Sequence, residues 1–156
     1  VWRGLQDARL LHLKADVRRA LVRAPLRAGR GALDLSHCRL NGDDVELLIR
    51  CILLDDAVSE LDLSGANLNL DGPAAVGQLM EYSRTMHTLR LCECISTRER
   101  ESYMLPELLH GLYKSPRALQ KLDLRGNRLG ACSRKSLGDA ADKADVQLLL
   151  SDEPMQ

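Results

Sequence analysis

The stretch KLDLRGNRL, residues 121 to 129, constrains the fold more than any other, because its spacing is repeated along the chain. Leu122, Leu124, Asn127 and Leu129 stand at offsets 0, +2, +5 and +7. Upstream, ALDLSHCRL places Leu33, Leu35, Cys38 and Leu40 in the same frame, and ELDLSGANL places Leu61, Leu63, Ala66 and Leu68. TLRLCECIS adds Leu89, Leu91, Cys94 and Ser96. Residues two apart share one face of a strand, so the first two leucines of each frame point into a core. A turn then brings the Asn127 amide inward to bond free backbone groups. Ala66 has no polar atom for that task, and its neighbour Asn67 is the expected substitute.

Leu33, Leu61 and Leu89 follow one another at 28-residue intervals, and the space after each strand reads as helix. Val45, Leu48, Ile49 and Ile52 fall at helical spacing, with Asp43 and Asp44 near the positive helix start. Pro73 suits the first turn of the next helix, with Val76, Leu79 and Met80 facing inward. The interval from Leu89 to Leu122 is 33 residues. The extra residues are expected between Ile95 and Met104 as a loop beside the sheet, carrying Arg98, Glu99, Arg100 and Glu101 to a partner. Leu105, Leu108, Leu109 and Leu112 then restore the helical face. The last unit packs Leu137, Ala140 and Ala141, and a final strand is expected over Val146 to Leu150, its edge open to strand addition.

Composition fixes the kind of core. Apolar residues make up 45% of the 156, yet there is no Phe, one Trp and three Tyr, so the interior must be aliphatic. No apolar run approaches the ~18 residues of a membrane span. The nearest, Val45 to Leu54, is broken by Glu46 and Arg50. Zero net charge hides a split: residues 1 to 31 carry eight Lys or Arg against Asp7 and Asp16, leaving 14 basic and 20 acidic residues in the body. Trp2, Arg3, Arg9, Arg18 and Arg19 mark this basic arm as a candidate contact with an anionic partner surface or with the acidic body itself. Within it, Leu10, Leu13, Val17, Ala20 and Leu21 recur at helical spacing, and the helix they predict can cap the open end of a stack. Three regions follow: the arm and cap at 1–31, the repeats at 32–150 and a tail at 151–156. Val1 in place of Met reads as a fragment start or a processed terminus.

Alternation along the strands sets rows of side chains between the inward leucines. Ala32, Glu60, Thr88 and Lys121 form the first row. Asp34, Asp62, Arg90 and Asp123 form the second; Ser36, Ser64, Cys92 and Arg125 the third. Of these, Asp34, Ser36, Glu60, Asp62, Ser64, Arg90, Cys92, Lys121, Asp123 and Arg125 are the candidate partner-binding residues. Arg90 is expected to balance its charge between Asp62 and Asp123. With strands ~4.8 Å apart, the surface is about 20 Å wide, enough for one helix or loop of a partner.

Catalytic and metal chemistry find little support. Cys92 and Cys94 alternate to opposite faces, and a two-residue cysteine spacing without a second pair is poor zinc evidence. His12, His37, His87 and His110 fall in unrelated frames, with no Ser-His-Asp grouping or glycine-rich phosphate cradle. Carboxylates in the rows argue against nucleic acid. Five cysteines without framework spacing point to a reducing, intracellular compartment.

With strand and helix alternating every 28 residues, and Cys38, Ala66, Cys94 and Asn127 filling the asparagine position, roughly residues 17 to 150 resemble the ribonuclease-inhibitor-like leucine-rich repeats. The resemblance implies an α/β fold: a short leucine-rich-repeat solenoid, parallel strands on its concave side, helices on its convex side, the N-terminal amphipathic helix as cap. It also implies protein binding without catalysis or cofactor. The phrase LRLCECIS and the basic front end are similar to the coupling-factor-B group of mitochondrial leucine-rich proteins. That likeness makes an accessory or scaffold subunit of a mitochondrial respiratory or ATP synthase complex the leading expectation. The alternatives are a GTPase-activating protein using an exposed arginine such as Arg90 or Arg39, and a ciliary or cytoskeletal component.

Overall fold

The computed structural model describes residues 15, 17, 31–36, 38–55 and 57–151. Strands and helices alternate: β1 (Gly31–Asp34), α1 (Gly42–Asp55), β2 (Val58–Asp62), α2 (Gly72–Tyr82), β3 (Thr88–Arg90), α3 (Arg98–Lys114), β4 (Lys121–Asp123), α4 (Ala131–Ala144) and β5 (Gln147–Leu149). The strands form one open parallel sheet in the order β1-β2-β3-β4-β5. Each helix returns the chain to start the neighbouring strand, and successive helices pack against one another. This is an α/β fold.

The leucine frame specifies the register. Leu33 pairs with Leu61, Leu61 with Leu89, Leu89 with Leu122 and Leu122 with Leu148. The first four of these are at most 2% exposed, so each contributes about 1.5–3 kcal/mol of burial. The second leucine continues the ladder past each strand end: Leu35, Leu63, Leu91 and Leu124 donate their N–H groups to Asp62, Arg90, Asp123 and Leu149, all at 2.9 Å. On the other wall, Val45, Leu48, Ile49, Ile52, Val76, Leu79, Met80, Leu137, Ala140 and Ala141 are buried as their helical spacing predicts. Val17, from the expected cap, is fully buried with the same core. The remainder of that cap lies outside the described residues.

The turns after β2, β3 and β4 each hold a left-handed residue. Gly65 and Gly126 supply it at φ of 75° and 74°, and Glu93 occupies the equivalent place at 57°. Inside the next bend, Asn127 is 7% exposed. Its Oδ1 accepts from Ile95 N at 2.6 Å, and its Nδ2 donates to the carbonyls of Leu91 at 2.7 Å and Leu124 at 2.9 Å. Cys94 fills the same place with a thiol that donates to the Leu63 and Cys92 carbonyls at 3.4 and 3.5 Å. Asn67 does not stand in for Ala66: its side chain is exposed, and its backbone N–H bonds Leu40 O at 2.7 Å. One step off the ladder turns a side chain outward.

The extra residues of the third unit lengthen a helix; they do not make a loop. Arg98 begins α3, which runs 17 residues against 11 to 14 in the others. Thr97 caps it by accepting from Arg100 N at 3.2 Å, while Glu99 and Glu101 sit in the positive first turn. The buried face is Met104, Leu108, Gly111 and Leu112, with Leu105 and Leu109 half-buried at its flank. Among the described residues no helix is long and apolar enough to cross a membrane.

Candidate interaction surface

The sheet face opposite the helices carries two of the expected rows in exact strand register. Ala32, Glu60, Thr88, Lys121 and Gln147 align across the five strands, and Asp34, Asp62, Arg90, Asp123 and Leu149 align one step on. Glu60, Asp62, Thr88, Arg90 and Lys121 are half-buried, whereas Ala32, Asp34 and Gln147 are exposed. Ser36 is exposed, and Ser64 is half-buried, at the turns that follow. The structure thus brings the candidates of all four frames to one surface.

Their bonding is more internal than the alternation suggests. Each strand-end aspartate turns its carboxylate back on its own chain: Asp34 Oδ1 accepts from Ser36 N at 3.0 Å, Asp62 Oδ1 from Ser64 N at 2.9 Å and Asp123 Oδ1 from Arg125 N at 3.2 Å. These Asx turns close the strand ends, so the repeated aspartate is first a device of the fold. In the third unit Arg90 replaces the aspartate, and the Ser64 hydroxyl of the preceding unit accepts from Cys92 N at 3.2 Å. The missing bond is supplied across the sheet.

Asp123 departs furthest from a partner-binding residue, with a side chain only 1% exposed. Arg125 lies over it as a lid: Nε reaches Oδ1 at 2.9 Å and Nη2 reaches Oδ2 at 2.7 Å, a forked pair whose guanidinium stays 59% exposed. The Arg125 bond holds the Asp123 carboxyl down at about 2, against the upward push of burial. Asp123 in turn raises the Arg125 guanidinium. Arg90 does not share its charge between Asp62 and Asp123 but pairs diagonally with Glu60 at 3.6 Å. The longer reach of glutamate meets the guanidinium, while Asp62 and Asp123 are engaged at their turns.

Cys92 is half-buried among these groups, and burial pushes its thiol up. Burial drives Cys94 up to about 12. Both are protonated at neutral pH and poor nucleophiles there. Among the described residues no three His, Cys, Asp or Glu side chains are grouped to hold a metal ion.

The four charges expected on an insertion split in use. Arg98 and Glu99 are exposed on the first turn of α3. Arg100 lends its N–H to the Thr97 cap. Glu101 is committed to the fold, accepting from Gly130 N at 2.8 Å where α4 begins. Trp2, Arg3, Arg9, Arg18 and Arg19 of the basic arm lie outside the described residues. The sheet face thus carries a polar strip: acidic over β1 and β2 through Asp34, Glu60 and Asp62, basic over β3 and β4 through Arg90, Lys121 and Arg125.

The class the structure defines is an α/β protein with an open five-stranded parallel sheet and, among the described residues, four helices. No protein-family model matches the chain.

Proposed function

We propose that the chain is a short leucine-rich-repeat solenoid of the ribonuclease-inhibitor-like kind and acts, without catalysis, as a protein-binding module. In this reading the strands line a concave side, the helices a convex side, and a helix from the basic arm caps the first unit. The observation that carries it is the aligned polar strip on the sheet face opposite the helices. A registered strand surface of this kind offers no enclosed site for a small substrate, but its width suits one helix or loop of another protein. Its charge polarity favours an occupant with basic groups toward β1 and acidic groups toward β4.

The assembly we favour is a mitochondrial respiratory or ATP synthase complex, with this chain as an accessory or scaffold subunit. Support comes from the arginine-rich, acid-poor front end and from the LRLCECIS phrase. Native size fractionation of cells expressing the tagged full chain tests both parts. The chain is expected to travel in a mitochondrial particle far larger than its own 17.3 kDa, and the pair Glu60→Lys with Lys121→Glu is expected to release it. Migration at its own mass, or outside mitochondria, would refute the corresponding part.

A further inference from the structure

The ends of the helices carry a second surface, separate from the sheet face. The connections from helix to strand are stacked side by side by direct bonds: Thr85 Oγ1 donates to Val58 O at 3.1 Å, His87 N to Ser59 O at 2.7 Å, Gln120 N to His87 O at 2.9 Å and Gln147 N to Gln120 O at 2.8 Å. Along the rim so formed stand large side chains the core does not use. Tyr82, the last residue of α2, is 62% exposed, and Tyr113, at the end of α3, is 59% exposed.

Basic side chains belong to the same helix ends and the connections after them. Arg84 follows α2, Lys114 ends α3, Arg117 follows it, and Lys143 is in the last turn of α4. All four are exposed, and none forms an ion pair among the described residues. Lys114 and Lys143 answer the negative ends of their helices. Arg84 and Arg117 lie beyond the helices, where that account does not apply. Arg117 and Lys143 flank a cleft of about 290 Å³ over the buried Leu119 and the half-buried Ala144, with Asp145 as its one carboxylate. Glu81, the nearest acid on α2, bonds His110 at 3.0 Å.

We infer that this rim docks an acidic segment of a partner protein. Its carboxylates would meet Arg84, Lys114, Arg117 and Lys143, and its apolar side chains would lie against Tyr82 and Tyr113. Cations that form no ion pair among the described residues, together with exposed aromatics on the same helix ends, are complementary to acidic, apolar sequence, and Tyr and Arg are the residues that dominate such interfaces. A membrane surface suits the rim less well. Lying on a bilayer requires an apolar stripe along a helix, whereas these rings sit on the ends of separate helices.

Selection from a library of random dodecapeptides on the folded full chain tests the inference. Enriched peptides are expected to combine Asp or Glu with Leu or aromatic residues and to bind more weakly as salt rises. Affinity is expected to fall roughly tenfold or more in Tyr82→Ala/Tyr113→Ala and in Arg117→Glu/Lys143→Glu. Should the reversal pair fail to fold, Arg117→Gln/Lys143→Gln decides in its place. Lys121→Glu on the sheet face is expected to leave the affinity unchanged, which separates this surface from the one proposed above. Peptides without acidic bias, binding indifferent to the rim variants, or binding only to phosphatidylserine-containing vesicles would overturn it.

Discussion

Replacing Asn127 by alanine strips three side-chain hydrogen bonds from a bend that is 7% exposed. The Leu124 carbonyl keeps a partner, because Asn127 N–H reaches it at 3.4 Å whatever the side chain. Ile95 N and the Leu91 carbonyl lose the amide that joined them at 2.6 and 2.7 Å. Each backbone group left buried without a partner costs about 1–3 kcal/mol, so Asn127→Ala is expected to lose about 3 kcal/mol. For a chain of this length that lowers Tm by about 6–12 °C. Asn127→Cys should lose about half as much, since a thiol can still donate to a carbonyl as Cys94 does, but it offers the Ile95 N–H little in return. Urea unfolding followed by far-ultraviolet circular dichroism, with the slope checked for constancy, measures both. A loss under about 0.5 kcal/mol for alanine, or equal losses for alanine and cysteine, would mean that the Asn127 amide does not hold this bend.

Acid sensitivity follows from Asp123. Its carboxyl is lowered from 3.8 to about 2 in the fold, so the stability it contributes is complete above its ordinary value and is lost as pH falls through the folded one. Wild type should therefore shed about 2 kcal/mol between roughly pH 5 and pH 2 through this group, and Asp123→Asn should flatten that limb in pH-dependent unfolding. Glu93→Gly is expected to gain about 1 kcal/mol in urea unfolding, because Glu93 holds φ at 57° where the equivalent Gly65 and Gly126 are at ease. Two helical glycines should respond with opposite sign to alanine in thermal melts. At Gly111 a Cβ would come within 2.8 Å of Met80 Cβ, costing about 1–3 kcal/mol. At Gly138 it meets nothing within 4 Å, and the helix gains about 0.5–1 kcal/mol.

The ladder was legible in the amino-acid sequence because burial selects size and apolarity at fixed spacing, and Leu33, Leu61, Leu89 and Leu122 repeat without exception. Helical faces such as Val45, Leu48, Ile49 and Ile52 were legible for the same reason. The polar residues were harder, since alternation gives the side of the sheet a residue occupies but not what it bonds. Asp34, Asp62 and Asp123 read as a surface row, yet each closes its own strand end. The signal was present in the recurring LDLS and LDLR, an aspartate two residues before a backbone donor. Thr97 with Glu99 and Glu101 likewise signalled a helix start within what the interval length alone suggested was a loop. Glu101 bonding Gly130, 29 residues on, had no local signature. The rim was missed because Tyr82 and Tyr113 belong to no repeat position.

The core, the turns and both surfaces exist only if the leucine frames are paired strands. Backbone nuclear magnetic resonance tests this most directly. The account predicts inter-strand contacts joining Leu33 to Leu61, Leu61 to Leu89, Leu89 to Leu122 and Leu122 to Leu148, together with slowly exchanging amides at Leu35, Leu63, Leu91 and Leu124. Helical contacts running through residues 60–63 and 121–124, or rapid exchange at those four amides, would contradict it.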